Sequence, residues 1–454
     1  VTSSEFRVKG IEHWLLTIAV TLQLLAMCVA SQPLSALAGG LFLVGFLFAG
    51  RRLQGYSRGL MLVALSVTAW LTYRGQLAMP QLLKASADAG FYAAFLGSLG
   101  LMQCLVRRFE VLRKIHDVLL GGRPLWLYPK YAVVSCSVAS VLNFGMMNLL
   151  CGTLSETLRE RGITGQSRLR WLRSVLISVL RGFALVPLVA PTSVAVAILT
   201  RELPALNWST LLPFGALIAV GLILLGWLLE QRRFRRVSAE RVALERWPTG
   251  TVGLLVLMLV VFTTMAVLVV LTGLKVSAAA MLAVPVITVL YMLWKERAPA
   301  AIVRESAGQI VSMSNEMGIF AASAILGVAL SSVIPSDALS GLASSDGGVF
   351  LLAAAGLLLL PMLSAIGIIP ITVLSILAGL LPQLVAEGMD PVPVSVALVI
   401  GFSLAMMLSP FGPAVMLLSR FGQVSRWKVA FRWNGLFVVI AIPLLLVFLA
   451  LIAP

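Results

Sequence analysis

The chain has 454 residues, 60% of them hydrophobic and 11% charged, with a mean hydropathy of +1.01. A water-soluble protein of this length has no interior large enough for so much apolar surface, whereas runs of about 20 apolar residues suit bilayer-spanning helices. The net charge of +16 does not call for nucleic acid, because the basic residues sit in short loops between apolar runs, where cytoplasmic loops are expected to be positive.

In chain order, hydropathy places spanning helices at about 13–30, 33–49, 59–73 and 89–106, then 175–200, 209–229, 250–273 and 276–294, and finally 315–334, 392–419 and 433–452. The first run leads directly into the second and reads as a retained helix, not a cleaved signal. Two further apolar segments, 131–152 and 348–380, read as re-entrant hairpins. With the N-terminus in the cytoplasm, 29 of the 34 Lys and Arg fall in cytoplasmic segments. Arg74, Lys84, Arg201 and Lys275 fall outside, and Arg181 lies within a helix. Segment 131–152 has basic loops on both sides, so both its ends face inward; a single crossing there would place a basic loop outside. Segment 348–380 is flanked by Asp337, Asp346, Glu387 and Asp390 without Lys or Arg, so both its ends face outward. The fold class is therefore all-α and polytopic, with about 11 transmembrane helices and two hairpins.

An internal echo organises this list. Ala190-Pro191-Thr192-Ser193-Val194-Ala195 returns as Ser409-Pro410-Phe411-Gly412-Pro413-Ala414, and the match runs on to Arg201 and Arg420. Each copy puts helix-breaking Pro and small residues inside a run that should span. Ser86-Ala87-Asp88-Ala89-Gly90 likewise matches Ser314-Asn315-Glu316-Met317-Gly318, and the hairpins share a Gly-centred turn, Asn143-Phe144-Gly145 against Ala365-Ile366-Gly367. The three matches keep their order. Each unit holds five crossings and one hairpin, and an odd number of crossings turns the second copy over, which gives two inverted-topology repeats. The expected organisation is a first helix in 1–32, repeat 1 in 33–229, a basic cytoplasmic linker in 230–249 and repeat 2 in 250–454. Segment 107–128 is amphipathic and reads as an arm along the inner surface.

Broken helices at matching places in two halves point to a transporter's binding site. The half-helices after Pro191 and Pro413 present free amides and positive dipole ends, which hold an anion without a buried full charge. Thr192, Ser193 and Asn148, with Asn143 at the tip, are candidate ligands in one half; Ser364, Thr372 and Ser409 are candidates in the other. Gly145, Gly367 and Gly412 let the backbone approach a ligand closely. Unwound carbonyls at Pro191, Pro410 and Pro413 offer ligands to Na+, while Asp88 and Glu316, at matching positions near helix starts, are the carboxylates for a proton-coupled alternative. None of the 18 acids is expected deep in a span. Arg181 is expected to snorkel to the cytoplasmic interface, with attraction of an anionic solute as the other reading.

This layout resembles the ion transporter superfamily, which contains the divalent-anion/sodium symporters, arsenite-permease-like carriers and C4-dicarboxylate carriers. In place of the Ser-Asn-Thr that dicarboxylate/sodium symporters carry at both hairpin tips, the tips here read Asn143-Phe144-Gly145-Met146-Met147-Asn148 and Ser364-Ala365-Ile366-Gly367-Ile368-Ile369. The resemblance implies a homodimeric secondary carrier in a bacterial-type cytoplasmic membrane, moving a small anion by an elevator-type alternating-access motion driven by Na+ or H+. The alternatives are a channel or the membrane subunit of a tripartite-type transporter. No catalytic cluster, nucleotide loop or metal-ligand spacing is present, so no enzyme, cofactor, metal or nucleic-acid partner is expected. Cys28, Cys104, Cys136 and Cys151 lack metal spacing and read as packing residues.

The charge bias generates a topology prediction. Cysteines introduced at Ser155 and Ser238 should react with an impermeant reagent only from the cytoplasmic side, and one at Ser345 only from outside. Labelling of the Ser155 variant from outside would overturn the inward hairpin and the inverted repeats with it.

Overall fold

The computed structural model describes residues 11–50, 53–108, 119, 124–142, 144–160, 162, 165–237, 251–335 and 347–453. The described residues form helices joined by short turns. In lipid only a helix or a closed barrel satisfies its own backbone groups, and the long apolar runs here take the first solution. Helices α1 (Ile11–Cys28), α2 (Gln32–Phe48), α3 (Gly55–Tyr73) and α4 (Met79–Gly100) lead into the short α5 (Met102–Val106). A hairpin follows, α6 (Leu127–Leu142) and α7 (Phe144–Glu160), then α8 (Gly165–Ala184), one turn of α9 (Val186–Val189) and α10 (Val194–Glu202). Next come α11 (Trp208–Val237), α12 (Thr251–Thr272), α13 (Val276–Glu296), α14 (Pro299–Ser312) and α15 (Ser314–Ser331). A second hairpin, α16 (Gly348–Ala365) and α17 (Pro370–Ala386), precedes α18 (Pro391–Leu408), α19 (Pro413–Gly422), a π turn at Lys428–Trp433, and α20 (Asn434–Ile452).

Nine helical segments among the described residues are long and apolar enough to cross a membrane, which makes the chain a multi-pass membrane protein. Three of the eleven expected spans, 33–49, 59–73 and 89–106, are not among the nine, whereas α16, expected to be half of a re-entrant hairpin, is long and apolar enough to be counted. Helix α2 stops at 17 residues, and α3 carries Ser57, Ser66, Thr68 and Thr72. Helix α4 is buried almost all round in its second half, so protein, not lipid, surrounds it. Most of the arm 107–128 and most of the linker 230–249 lie outside the described residues. The linker's first residues are helical, because α11 continues to Val237.

Helices α1, α2, α4 and α15 pack on one another on one side, and both hairpins, α8, α18 and α20 form the other. Small residues permit the tightest crossings. A Cβ on Gly39 of α2 would stand 1.9 Å from the Ser86 carbonyl oxygen of α4, and the Ser86 hydroxyl donates to the Ala36 carbonyl at 2.7 Å. Helix α15 touches both groups, meeting α3 and α4 on one face and α17 on another.

Arg181 does not snorkel. It is 3% exposed, and its Nη2 lies 3.4 Å from Oε1 of Glu230, itself buried on α11. Its Nε donates to Asn434 Oδ1 and its Nη2 to the Trp433 carbonyl, both at 3.1 Å. The guanidinium also lies 4.3 Å from the Phe437 ring centroid. Trp433 ends the π turn, and Asn434 Nδ2 donates back to the Val429 carbonyl at 2.9 Å. Two of the chain's charges, far apart in sequence, are thus neutralised inside the bundle. Arg181→Met alone should cost about 3–5 kcal/mol, because it strands a buried carboxylate, while Arg181→Met with Glu230→Met should recover most of that loss. Unfolding of the three proteins in detergent compares them directly. A double variant no more stable than the single one would mean that the pair is not the cause.

Candidate functional site

The two helix breaks have the same backbone form. Ala190 and Ser193 are extended, with φ/ψ of −90/132 and −70/137, and the Ser193 amide closes the turn on the Ala190 carbonyl at 3.2 Å. Ser409 and Gly412 are extended at −78/109 and −67/140, and the Gly412 amide closes on the Ser409 carbonyl at 3.1 Å. Pro191 cannot donate to the turn before it, and neither can Pro410 or Pro413, which disfavours a continuous helix in both places, although Pro213, Pro285, Pro361, Pro382 and Pro443 lie within unbroken helices. The new starts, at Val194 and Pro413, leave first-turn amides without intrahelical acceptors.

Both breaks line one cavity of about 60 Å³, together with the tip of the second hairpin at Ile369 and Pro370. Phe183, Ile319, Phe320, Phe402 and Met406 form much of its wall. Ser193 and Glu316 supply its polar side chains, and Gly412, Pro413 and Ala414 line it from the second break. Its volume is well under the roughly 300–1,000 Å³ of ordinary ligand pockets.

The remaining candidates divide. Ser193 Oγ accepts from the Ala195 amide at 3.2 Å, which caps α10 and leaves the hydroxyl proton available to a ligand. Thr192 is turned away, its hydroxyl donating to the Ser140 carbonyl on the first hairpin. Thr372 shares a 2.8 Å bond with Ser323 of α15. Ser364 and Ser409 are wholly buried, and neither hydroxyl has a partner. Gly145 sits at the first hairpin's turn against Gln103 of α5 and away from the cavity; Asn143 and the Asn148 side chain lie outside the described residues. Glu316 reaches the cavity, but Asp88 does not. Asp88 is buried and paired with Arg201 at 2.9 Å, beside a Lys84–Glu202 pair at 2.8 Å. These four charges tie the end of α10 to α4. Burial works against the Lys84 charge, but Glu202 outweighs it and holds the ammonium above its ordinary pKa.

Sequence reasoning missed the residue that holds the second hairpin's tip. Tyr56, at the start of α3, receives the Ile369 amide on its hydroxyl at 3.3 Å and donates to the Gly367 carbonyl at 3.5 Å. Its ring stacks on Phe411 of the second break, centroids 6.3 Å apart. Gly367 has φ of +117°, and a Cβ there would stand 3.1 Å from the Phe411 ring, so both backbone and space call for glycine. The sequence signal was an aromatic residue in a basic loop, which has many bland explanations.

Two hairpins accompany two broken helices in this polytopic bundle, and the first break also lines a larger cavity, of about 780 Å³, with Ser140 and Trp208. The crystal structure of the YdaH transporter of Alcanivorax borkumensis, described as having an unusual topology, superposes with a TM-score of 0.57 over 87% of this chain and 98% of that one, at 15% identity. At that identity the likeness establishes the fold alone. No family model matches the chain, and no curated protein matches it.

The tip contact generates a prediction. Tyr56→Phe removes the hydroxyl and keeps the stack, and a hydrogen bond of this kind contributes about 0.5–1.5 kcal/mol. A cysteine placed at buried Ser364 should then react roughly 2- to 12-fold faster with a thiol reagent than in the Tyr56 background. Equal rates would show that Tyr56 does not restrain the tip.

Proposed function

We propose that the chain is a secondary active carrier that moves a small anionic solute across the cytoplasmic membrane by alternating access, driven by an ion gradient. The observation that carries this reading is the meeting of two like-built helix breaks and one hairpin tip at a single cavity. Each half-helix start is equivalent to about half a positive charge, so the two favour an anion held between them. The packing of the hairpin-bearing helices against a separate group at α1–α4 suits an elevator-type motion. The small volume of the cavity fits a form between inward and outward opening.

The test is uptake by the purified chain in proteoliposomes, with imposed Na+ or proton gradients, against acetate, succinate, sulfate and phosphate. Ser193→Ala should weaken binding of the transported anion by about 0.5–1.5 kcal/mol, or up to about 3 where the hydroxyl meets a charge. Gly412→Val should do worse, since even a Cβ there stands 3.1 Å from Ser409 Cβ and a branched side chain adds bulk to that contact. Wild-type binding by both variants would move the solute site away from the breaks.

A further inference from the structure

Glu316 is the ionisable side chain lining the cavity. Among the described residues no cation pairs with it, although the matching Asp88 is held by Arg201 at 2.9 Å. Helices α2 and α17 carry no ionisable residue. On α3 stand Tyr56, committed to the hairpin tip, Arg58 and Tyr73. On α4 stand Lys84 and Asp88, both paired, and buried Tyr92. On α14, Arg304 lies at the exposed surface, its Nε donating to the Ala300 carbonyl, and Glu305 is paired with Arg108. Across the cavity, Arg181 on α8 is turned to Glu230, and α18 carries no charge. None of these groups lines the cavity.

An ionised Glu316 and an anionic solute would compete for the same two helix starts, whose combined charge is about one unit. In a space this small and apolar, two like charges are held only if one is neutralised. The carboxylate is the group that can take a proton.

The sequence echo supplies the other half of the cycle. Asp88 matches Glu316 and Arg201 matches Arg420. One pair is closed, Asp88 with Arg201; the other is open, with Arg420 exposed on α19 and no ion pair to Glu316. If the halves are inverted repeats, exchanging their conformations closes the second pair and opens the first.

We propose that Glu316 is the proton-loading site of the carrier: the cavity accepts an anion when this carboxyl is protonated, and Arg420 discharges the proton by pairing with the carboxylate in the opposite-facing state. This rests on the anion-carrier reading above. In the step, a proton from one aqueous side bonds to a Glu316 carboxylate oxygen, travels with the anion, and leaves to the other side as the Arg420 guanidinium arrives. One proton moves per anion, in the same direction.

The experiment uses the purified full chain with acetate, succinate and inorganic phosphate as probes. Wild-type binding of at least one of them should weaken by up to tenfold per pH unit as Glu316 ionises, the slope of one linked proton. Glu316→Gln should bind that anion at pH 7.5 as tightly as wild type does at pH 5.5, a gain at the higher pH, and lose proton-driven accumulation. Without any solute, an infrared pH titration should show a protonated-carboxyl band that fades with rising pH, persists in Asp88→Asn and is missing from Glu316→Gln. Arg420→Gln should keep the band and the binding slope but slow proton-driven uptake at least tenfold, with Arg420→Lys restoring part of it. A flat wild-type pH profile, a Gln variant with the wild-type slope, or an unchanged band would each overturn the proposal. Full-speed proton-driven uptake by Arg420→Gln would overturn the discharge step. If none of the three anions binds at any pH, the anion reading of the function fails and the gating with it.

Discussion

A backbone amide or carbonyl in hydrocarbon must find a partner within the protein, and this requirement governs the rest of the molecule. Two helices here break that rule in mid-span, at Ala190–Ser193 and Ser409–Gly412. The surroundings are arranged to make the breaks tolerable. Thr192 reaches across to a hairpin carbonyl, Ser193 caps the helix that restarts after it, and Phe411 is covered by Tyr56, Trp427 and Arg426. The cavity lies where the two breaks meet the tip of the second hairpin.

The layout was largely legible in the sequence, and the reasons are physical. Proline inside an apolar run has few structural outcomes, so the paired breaks and their shared geometry could be read from Pro191, Pro410 and Pro413. The hairpins followed from loop charge and from a glycine at each turn. What could not be read was which face of each helix meets which neighbour. Thr192 and Thr372 carry the right chemistry, yet each spends its hydroxyl on a nearby helix. The cavity wall is phenylalanine, isoleucine and methionine, and in a chain that is 60% hydrophobic nothing marks these residues out.

Two charged positions show the limit more sharply. Asp88 and Glu316 look equivalent in sequence, but one is neutralised by Arg201 while the other lines the cavity. A repeat predicts equivalence of neighbours only where both copies are packed alike, and Asp88 and Glu316 are not. Arg181 failed for a different reason. Two turns from an interface, an arginine has the reach to leave the bilayer, and only the placement of Glu230, Trp433 and Asn434 keeps it inside.

The arginine's partners also have an order of arrival. Arg181 and Glu230 are synthesised long before Asn434 and the carbonyl of Trp433, which stand at the start of the last helix. Until that helix is inserted, the guanidinium lacks two of its acceptors in the middle of a bundle that is otherwise sealed. A chain without α20 would therefore hold, inside the helical bundle, an arginine that has lost two of its acceptors.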